Sequence, residues 1–269
     1  MTLDRCSGSL SLFLFVASES FFHRETQPLF KQLEEVSQRS GISRGQSFED
    51  FLHVSVCALA HPTMEDEYLQ TIERHKDGVK GRRGVDKLAE MFATMVDAID
   101  RTRDDILGDL FQGSITYGEK GQFLTPMPIC RLMAQMNIPE EKTGLDGRRS
   151  VNDPAVGSGR MLLAAAEIQP NWHFVGQDID LRCVRMTAIN LGLRNHYGHV
   201  VQADTLRNTQ GLIYETGRVE VWGNAIRKVS RVPLPDRKPE RIDVTPPPVD
   251  QNTTSPLEDA GPTKQLEFF

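Results

Sequence analysis

The chain has 269 residues, of which 39% are hydrophobic, and it carries a formal net charge of −6. This length can bury one ordinary domain core together with a smaller helical part, so we expect one α/β domain with additional segments. The acidic balance excludes electrostatic attraction of the whole molecule to nucleic acid and leaves only a local basic patch for such a contact.

The cysteines are spread along the chain without a Cys-x-x-Cys pair: Cys6, Cys57, Cys130 and Cys183. This spacing predicts neither a metal site nor a disulfide framework, and a reducing cytoplasm suits it best. The run LSLFLFVASES, residues 10–20, is similar to the core of a signal peptide, but its leader pairs Asp4 with Arg5 and the run is too short to span a bilayer. We therefore expect a cytoplasmic protein without membrane contact. Residues 1–20 are then either a loosely packed segment or a sequence upstream of the true start codon.

Residues 21–115 show the periodicity of helices. Apolar residues recur three or four positions apart at Leu88, Met91, Phe92, Met95, Val96, Ile99, Ile106 and Leu110. The pattern predicts an all-α N-terminal region. Within it, residues 74–84 (RHKDGVKGRRG) form either a phosphate-contacting loop or a solvated connection between helices.

From residue 116 to residue 230 the pattern changes to strands alternating with helices. Thr125 can cap a helix whose apolar face is Ile129, Leu132, Met133 and Met136. Three strand-to-loop units follow, SVNDPAVGSG, HFVGQDID and HVVQADTL, separated by helices over 161–168 and 181–193, and RVEVW at 218–222 is a weaker strand candidate. This alternation predicts an α/β fold with a parallel sheet covered on both faces.

The last segment, residues 231–269, is rich in proline and poor in apolar residues, which predicts a disordered tail. Its final residues, QLEFF, resemble the short peptide by which bacterial replication and repair proteins dock on the sliding clamp. In that interpretation Gln265 is the polar anchor, and Leu266, Phe268 and Phe269 enter an apolar pocket. The alternative is that these residues fold back onto the domain, over an incomplete sheet edge.

A glycine-rich turn stands between a strand and a helix in NDPAVGSGRML, residues 152–162. Gly157 and Gly159 let the backbone approach a ligand closely, and the helix that follows offers free amide donors. Asp178 lies 21 residues after Gly157, near the offset at which an acid binds ribose hydroxyls. A dinucleotide site would require a small residue where Leu162 stands, whereas Asp153 would repel a pyrophosphate and attract the ammonium group of a methionine. The turn therefore predicts S-adenosyl-L-methionine as the cofactor.

Four sequence blocks make the comparison with known families specific: GQFLTPMPICRLM (121–133), NDPAVGSGRML, GQDID and ADTL (203–206). Their order resembles that of adenine-N6 DNA methyltransferases similar to the modification subunit of type I restriction-modification systems, and DDILGDLFQGSI (104–115) is similar to the lead-in of that family. The resemblance implies a partial Rossmann-like class I S-adenosylmethionine methyltransferase core, with DNA as a partner.

The resemblance also implies roles for individual residues. Phe123, Thr125 and Pro126 would line the methionine end of the cofactor. Its amino-acid part would contact Asp153 and the backbone from Ala155 through Gly157 and Ser158 to Gly159, its ribose would contact Asp178, and its adenine amino group would contact Asp204. Simpler interpretations stay open, because Thr125 could be only a helix cap and Asp204 only a turn residue.

The motif that performs the chemistry in this family is missing. An Asn, Asp or Ser followed by Pro-Pro and an aromatic residue holds the target adenine, which must leave the DNA stack. After Leu206 the chain continues RNTQGLIYETGRVEVWGNAIRKVSR, without such a motif. In RIDVTPPPVD (241–250), Thr245 is a poor acceptor and Pro248 stands where the aromatic residue should be. Catalytic residues are therefore left unassigned.

Three hypotheses follow. The first is a DNA adenine-methyltransferase homologue that keeps the cofactor half of the site and is apparently truncated or degenerate. The second is a non-catalytic S-adenosylmethionine-binding or DNA-associated accessory protein, and the third is an unrelated Rossmann-like enzyme for a small molecule. Because the sheet has few strands for this family, we expect the helical region, a second copy or a partner subunit to cover its missing side.

Overall fold

The computed structural model describes residues 21–116, 123–139, 149–207, 209–217 and 225–232. Its first part is helical, with α1 (Thr26–Ser40), α2 (Arg44–Leu59), α3 (Glu65–Ile72), α4 (Gly84–Thr102) and α5 (Ile106–Leu110), and with a 3₁₀ turn at Glu73–His75 and a π-helical turn at Phe111–Thr116. Its second part contains α6 (Met127–Asn137), β1 (Ser150–Asp153), α7 (Arg160–Ile168), β2 (His173–Asp178), α8 (Leu181–Leu193), β3 (Gly198–Asp204), β4 (Thr209–Thr216) and β5 (Ile226–Val229). The predicted α/β class, with a helical region before a partial Rossmann-like core, is confirmed.

The helical part owes its packing to apolar stripes and to local capping. In α4 the buried stripe contains Leu88, Met91 and Met95, as the periodicity predicts. Helix α2 begins after Ser43, whose hydroxyl accepts a hydrogen bond from the backbone N–H of Gln46. Helix α2 also packs on α8, so the helical part and the sheet share one apolar core.

The strand order is β1-β2-β3-β4-β5. Strands β1, β2 and β3 are parallel, whereas β3–β4 and β4–β5 are antiparallel pairs. The prediction of a wholly parallel sheet was therefore wrong for β4 and β5. Strand β4 was missed altogether, although its GLIY stretch contains the β-branched and aromatic residue types that favour strands.

Within the described ranges, the helices with extensive contacts to the sheet are α7 and α8. Both belong to crossovers that run in the same direction, from β1 to β2 and from β2 to β3. Since such crossovers are right-handed, the two helices lie on one face. On that face Phe174, Val200, Tyr214 and Ile226 join the main core. The predicted covering of both faces is not provided by the described helices.

Helix α6 is oriented differently from the prediction. Its buried residues are Met127, Cys130 and Ala134, and the last two pack with Ala164 of α7. The predicted buried face is exposed instead: Ile129, Leu132, Met133 and Met136. Both sides of the helix are apolar, and the side with smaller residues packs closely on α7. Thr125 is not the cap, because Pro126 occupies the N-cap position.

Several predictions fall outside the described residues. These are the N-terminal segment 1–20, the RVEVW strand, the proline-rich tail with its TPPP run, and the terminal QLEFF peptide. Among the helices that are described, none is long and apolar enough to cross a membrane.

Candidate cofactor-binding cleft

A cleft of about 680 Å³, counting its open mouth, lies where β1 and β2 end. The carboxyl ends of parallel strands are the usual place for ligands in open α/β sheets. The cleft is lined by Phe111, Phe123, Leu124, Thr125, Asp153, Ala155, Val156, Gly157, Ser158, Arg160, Met161, Asp178 and Cys183. Most of the predicted cofactor residues are thus brought together, although Pro126, Gly159 and Asp204 do not line the cleft.

The glycine turn has a backbone that only glycine adopts easily. Gly157 has φ +56° and Gly159 has φ +93°, both in the left-handed region. The carboxylate of Asp178 accepts a hydrogen bond from the Gly157 N–H at 2.9 Å, and the Thr187 hydroxyl donates to the Gly157 carbonyl at 2.8 Å. A side chain at Gly159 would press on Thr187 at 3.2 Å. Asp178 therefore holds the turn from the neighbouring strand, a structural role that its sequence spacing did not reveal.

Two carboxylates face the cleft in a partly desolvated environment. Burial raises the pKa of Asp153, and the Ala155 N–H, which lowers it, only partly offsets this effect. Burial also raises the pKa of Asp178, against the lowering effect of the Asp180 and Gly157 N–H groups, and the negative charge of Asp153 raises it further. For neither carboxyl group is a cation among the main influences that the described residues exert on the pKa.

The cation that does line the cleft is already neutralised. Arg160, the first residue of α7, donates through Nε to the carboxylate of Asp105 at 2.7 Å. Its Nη1 also donates to the Gln112 side chain at 3.0 Å and to the Thr125 carbonyl at 3.3 Å. The remaining electrostatic character of the cleft is therefore negative, which favours a cationic ligand over an anionic one.

Asp105 anchors the glycine turn to the helical region. Its side chain is about 1% exposed and accepts hydrogen bonds from Ser158 Oγ, Asn190 Nδ2 and the Gly108 N–H, besides the one from Arg160. Asn190 also donates to the Ser158 carbonyl at 2.9 Å. Sequence reasoning missed Asp105 as a site residue. Its position in the DDILGDLFQGSI block was the available signal.

The loop after β3 contacts the same turn from another side. Thr205, in the ADTL block, donates through Oγ1 to the Pro154 carbonyl at 2.9 Å. Asp204 accepts hydrogen bonds from the backbone N–H groups of Leu206 and Arg207, both at 3.1 Å. In this structure Asp204 therefore has the geometry of a turn residue, and its role toward adenine stays a prediction.

Other predicted features of the chain are placed as follows. In the basic run at 74–84, Arg74 lies 3.6 Å from Asp50, Lys76 pairs with Glu73 and Arg83 pairs with Asp86. Lys80 and Arg82 are exposed.

Cys57, Cys130 and Cys183 are free and buried. Burial raises the pKa of the Cys57 thiol to about 12.

The strand order, the glycine turn after β1 and the acid at the end of β2 define an α/β protein with the core of a methyltransferase-like fold. The family model for N-6 DNA Methylase matches residues 102–220 of the chain. The adenine-N6 DNA methyltransferase family predicted from the four blocks is thereby confirmed. The match begins near the Asp105 anchor and ends after β4.

One similar solved structure is the type I restriction-modification system methyltransferase subunit from Streptococcus thermophilus. The two chains are 17% identical, with a TM-score of 0.31, and the similarity covers 63% of the present chain. The chain spans 56% of the length of that subunit. A comparison with curated proteins found no match.

Proposed function

We propose that the cleft binds S-adenosyl-L-methionine and that the chain is a homologue of DNA adenine-N6 methyltransferases which retains the cofactor half of the site. The observation that carries this proposal is the pair of partly desolvated carboxylates at the cleft, Asp153 and Asp178, whose pKa values have no cation among their main influences. A dinucleotide would place a pyrophosphate beside them at an electrostatic cost. S-adenosylmethionine brings an ammonium and a sulfonium group, and both would interact favourably with the carboxylates.

The residues of the cleft fit such a cofactor in type. Asp178 would accept hydrogen bonds from the ribose hydroxyls with lone pairs that the Gly157 and Asp180 N–H groups leave available. Asp153 would bind the ammonium group beside the Ala155–Gly159 backbone. Phe123, which is 77% exposed at the mouth, would contact the methionine end together with Thr125 and Pro126. Asp204 is the proposed acceptor for the adenine amino group.

Titration calorimetry with the purified chain tests the cofactor proposal. We expect 1:1 binding that weakens roughly tenfold or more in Asp178→Ala, because a hydrogen bond to a charged group contributes about 1.5–3 kcal/mol. Asp178→Asn removes the negative charge but keeps the hydrogen bond that supports Gly157, since an amide oxygen can still accept that N–H. Asp97→Ala removes an exposed carboxylate on α4 and serves as the matched control. Binding by none of these proteins, or equal binding by all, would refute the cofactor role.

We further propose that the isolated chain does not methylate DNA at an appreciable rate, because the acceptor-Pro-Pro-aromatic motif is missing. Incubation with tritiated cofactor and mixed genomic DNA measures this directly. Incorporation of tritium into DNA would contradict the proposal if the Asp204→Ala substitution abolished it. Cofactor binding without incorporation is the result expected for the accessory-protein alternative as well. That alternative is distinguished when an added partner subunit restores methylation.

DNA, a partner subunit or second copy, and the sliding clamp are the proposed partners, and a cytoplasmic location is proposed with them. The clamp contact would be made by Gln265, Leu266, Phe268 and Phe269. A labelled peptide of residues 256–269 titrated with a bacterial sliding clamp tests it. Micromolar binding that is lost on Gln265→Ala would support docking, and absence of binding at tens of micromolar would leave the fold-back alternative.

A further inference from the structure

We propose that the exposed apolar face of α6 is a docking surface for the N-terminal segment of this chain, with residues 10–16 as the occupant. The face consists of Ile129, Leu132, Met133 and Met136, which are spaced as one stripe of a helix. Met136 is the most exposed of these four side chains, at 76%. Because the other side of α6 already packs on α7, the helix is apolar on both sides, and such a helix is normally covered on both.

The occupant is identified by where the described chain begins. Phe22 and His23 lie against the start of α6, in a pocket that they share with Pro126, Met127 and Pro128. His23 Nε2 lies 3.4 Å from Asp104 Oδ2, and Arg131 Nη1, in the middle of α6, lies 3.9 Å from the same oxygen. One carboxylate thus joins the first described residues to the helix that carries the uncovered face.

Hydrogen bonds and ring packing hold the first described residues in this position. The backbone N–H groups of Phe22 and His23 donate to Asp109 at 2.8 and 2.9 Å, and the ring of Phe21 packs against Phe30 of α1. The described chain therefore begins at a fixed position close to the start of α6.

Length and composition complete the argument. Residues 10–16, LSLFLFV, are apolar except for Ser11, and only residues 17–20 separate them from Phe21. Four residues reach at most about 14 Å, and the 11 residues of α6 extend about 16 Å, so the apolar run can lie along the face. A long apolar run and an apolar helix face within mutual reach both lower their free energy when each covers the other.

Oxidation of Met133 and Met136 by hydrogen peroxide reports on the face in the full chain, whose intact mass first confirms that it begins at Met1. Trypsin releases both residues in one peptide, residues 132–142. We expect both methionines to oxidise several-fold faster when Leu12, Phe13 and Phe15 are all changed to Asp. The matched control Ser11→Asp adds a charge to the same run without removing an apolar side chain, and it should behave like the parent. Met127, which is only 5% exposed, serves as the slow internal reference.

Equal oxidation rates in the parent and the triple variant would overturn the proposal. Protection that rises with protein concentration would assign the face to a second copy, and protection lost only on deletion of residues 256–269 would assign it to the tail, so both results would also overturn it. A photo-crosslinking residue at Phe13 supplies a readout that does not depend on the folding of the triple variant. The proposal requires its product to contain the 132–142 peptide within one chain.

Discussion

Removal of the Asp105 carboxylate is expected to destabilise the protein and to weaken cofactor binding together. Asp105→Ala withdraws the acceptor from four donors at once: Gly108 N–H, Ser158 Oγ, Arg160 Nε and Asn190 Nδ2. The methyl group left behind cannot accept hydrogen bonds. Arg160, whose side chain is only 12% exposed, then stays charged without its partner.

The magnitude follows from this burial. Breaking a buried ion pair by removing one partner costs about 3–5 kcal/mol, because the remaining charge is not resolvated. Domains of this size are stable by about 5–15 kcal/mol, so the substitution should remove a large share of the free energy of unfolding. Asp105→Asn should cost less, since its amide oxygen can still accept the Gly108 N–H.

Urea unfolding followed by circular dichroism measures the loss of stability, and calorimetry at a temperature where the variant is folded measures the affinity for S-adenosylmethionine. Asp109→Ala is the matched control, because Asp109 is also buried on α5 and accepts from Phe22 N, His23 N and Thr26 Oγ1 without lining the cleft. It should lower stability and leave the affinity unchanged. A loss below about 1 kcal/mol in Asp105→Ala, the scale of an ordinary neutral hydrogen bond, would refute the reasoning.

Two further predictions concern the glycine turn and its carboxylates. Gly157→Ala should lower the free energy of unfolding by about 1–2 kcal/mol through its left-handed backbone and should also weaken cofactor binding, because a Cβ there meets Leu124 Cδ2 at 2.6 Å. Gly41→Ala, at φ +65° and with nothing within 4 Å, carries the same backbone strain outside the cleft and should leave binding unchanged in the same calorimetric assay. Cofactor affinity should fall as the pH drops through the raised pKa values of Asp153 and Asp178, because protonation removes the charge that attracts the cation and binding must then release a proton. Affinities measured from about pH 7 down to about pH 4, close to the ordinary pKa of an aspartate, should show this decline, Asp153→Asn should flatten it, and a flat profile in the parent would count against the electrostatic argument.

The glycine turn and its surroundings could be predicted because their signals are local. Helix α8 was predicted with its observed bounds, Leu181–Leu193, since Asp180 caps it and apolar periodicity runs through it. Strands β1, β2 and β3 were found because each short apolar run ends at a loop with an acid. Asp178 was singled out by its distance from Gly157, and the structure places its carboxylate against the N–H of that glycine.

The features that sequence reasoning missed depend on contacts between distant segments. Asp105 meets Ser158 and Asn190 across 53 and 85 residues, and no local pattern reports such a convergence. The buried side of α6 was mistaken because hydrophobicity favours Leu132 and Met136, whereas the close approach of α7 selects Ala134. The antiparallel direction of β4 is set by its short connection to β3, which is too short for a crossover.

The topology also determines where an acceptor for the adenine amine would have to enter under the proposed function. Among the described strands β1 pairs only with β2, so its other edge is open. An apolar groove lies along that edge between α6 and β1, lined in part by Ile138, Val151 and Leu162. A strand added there in parallel would bring its carboxyl end beside Asp153 at the mouth of the cleft, because parallel strands end at the same side of a sheet. An acceptor for the adenine amine, whether from this chain or from a partner, would reach the methyl donor from this edge. The opposite side of the parallel strands is already closed by the β4–β5 hairpin.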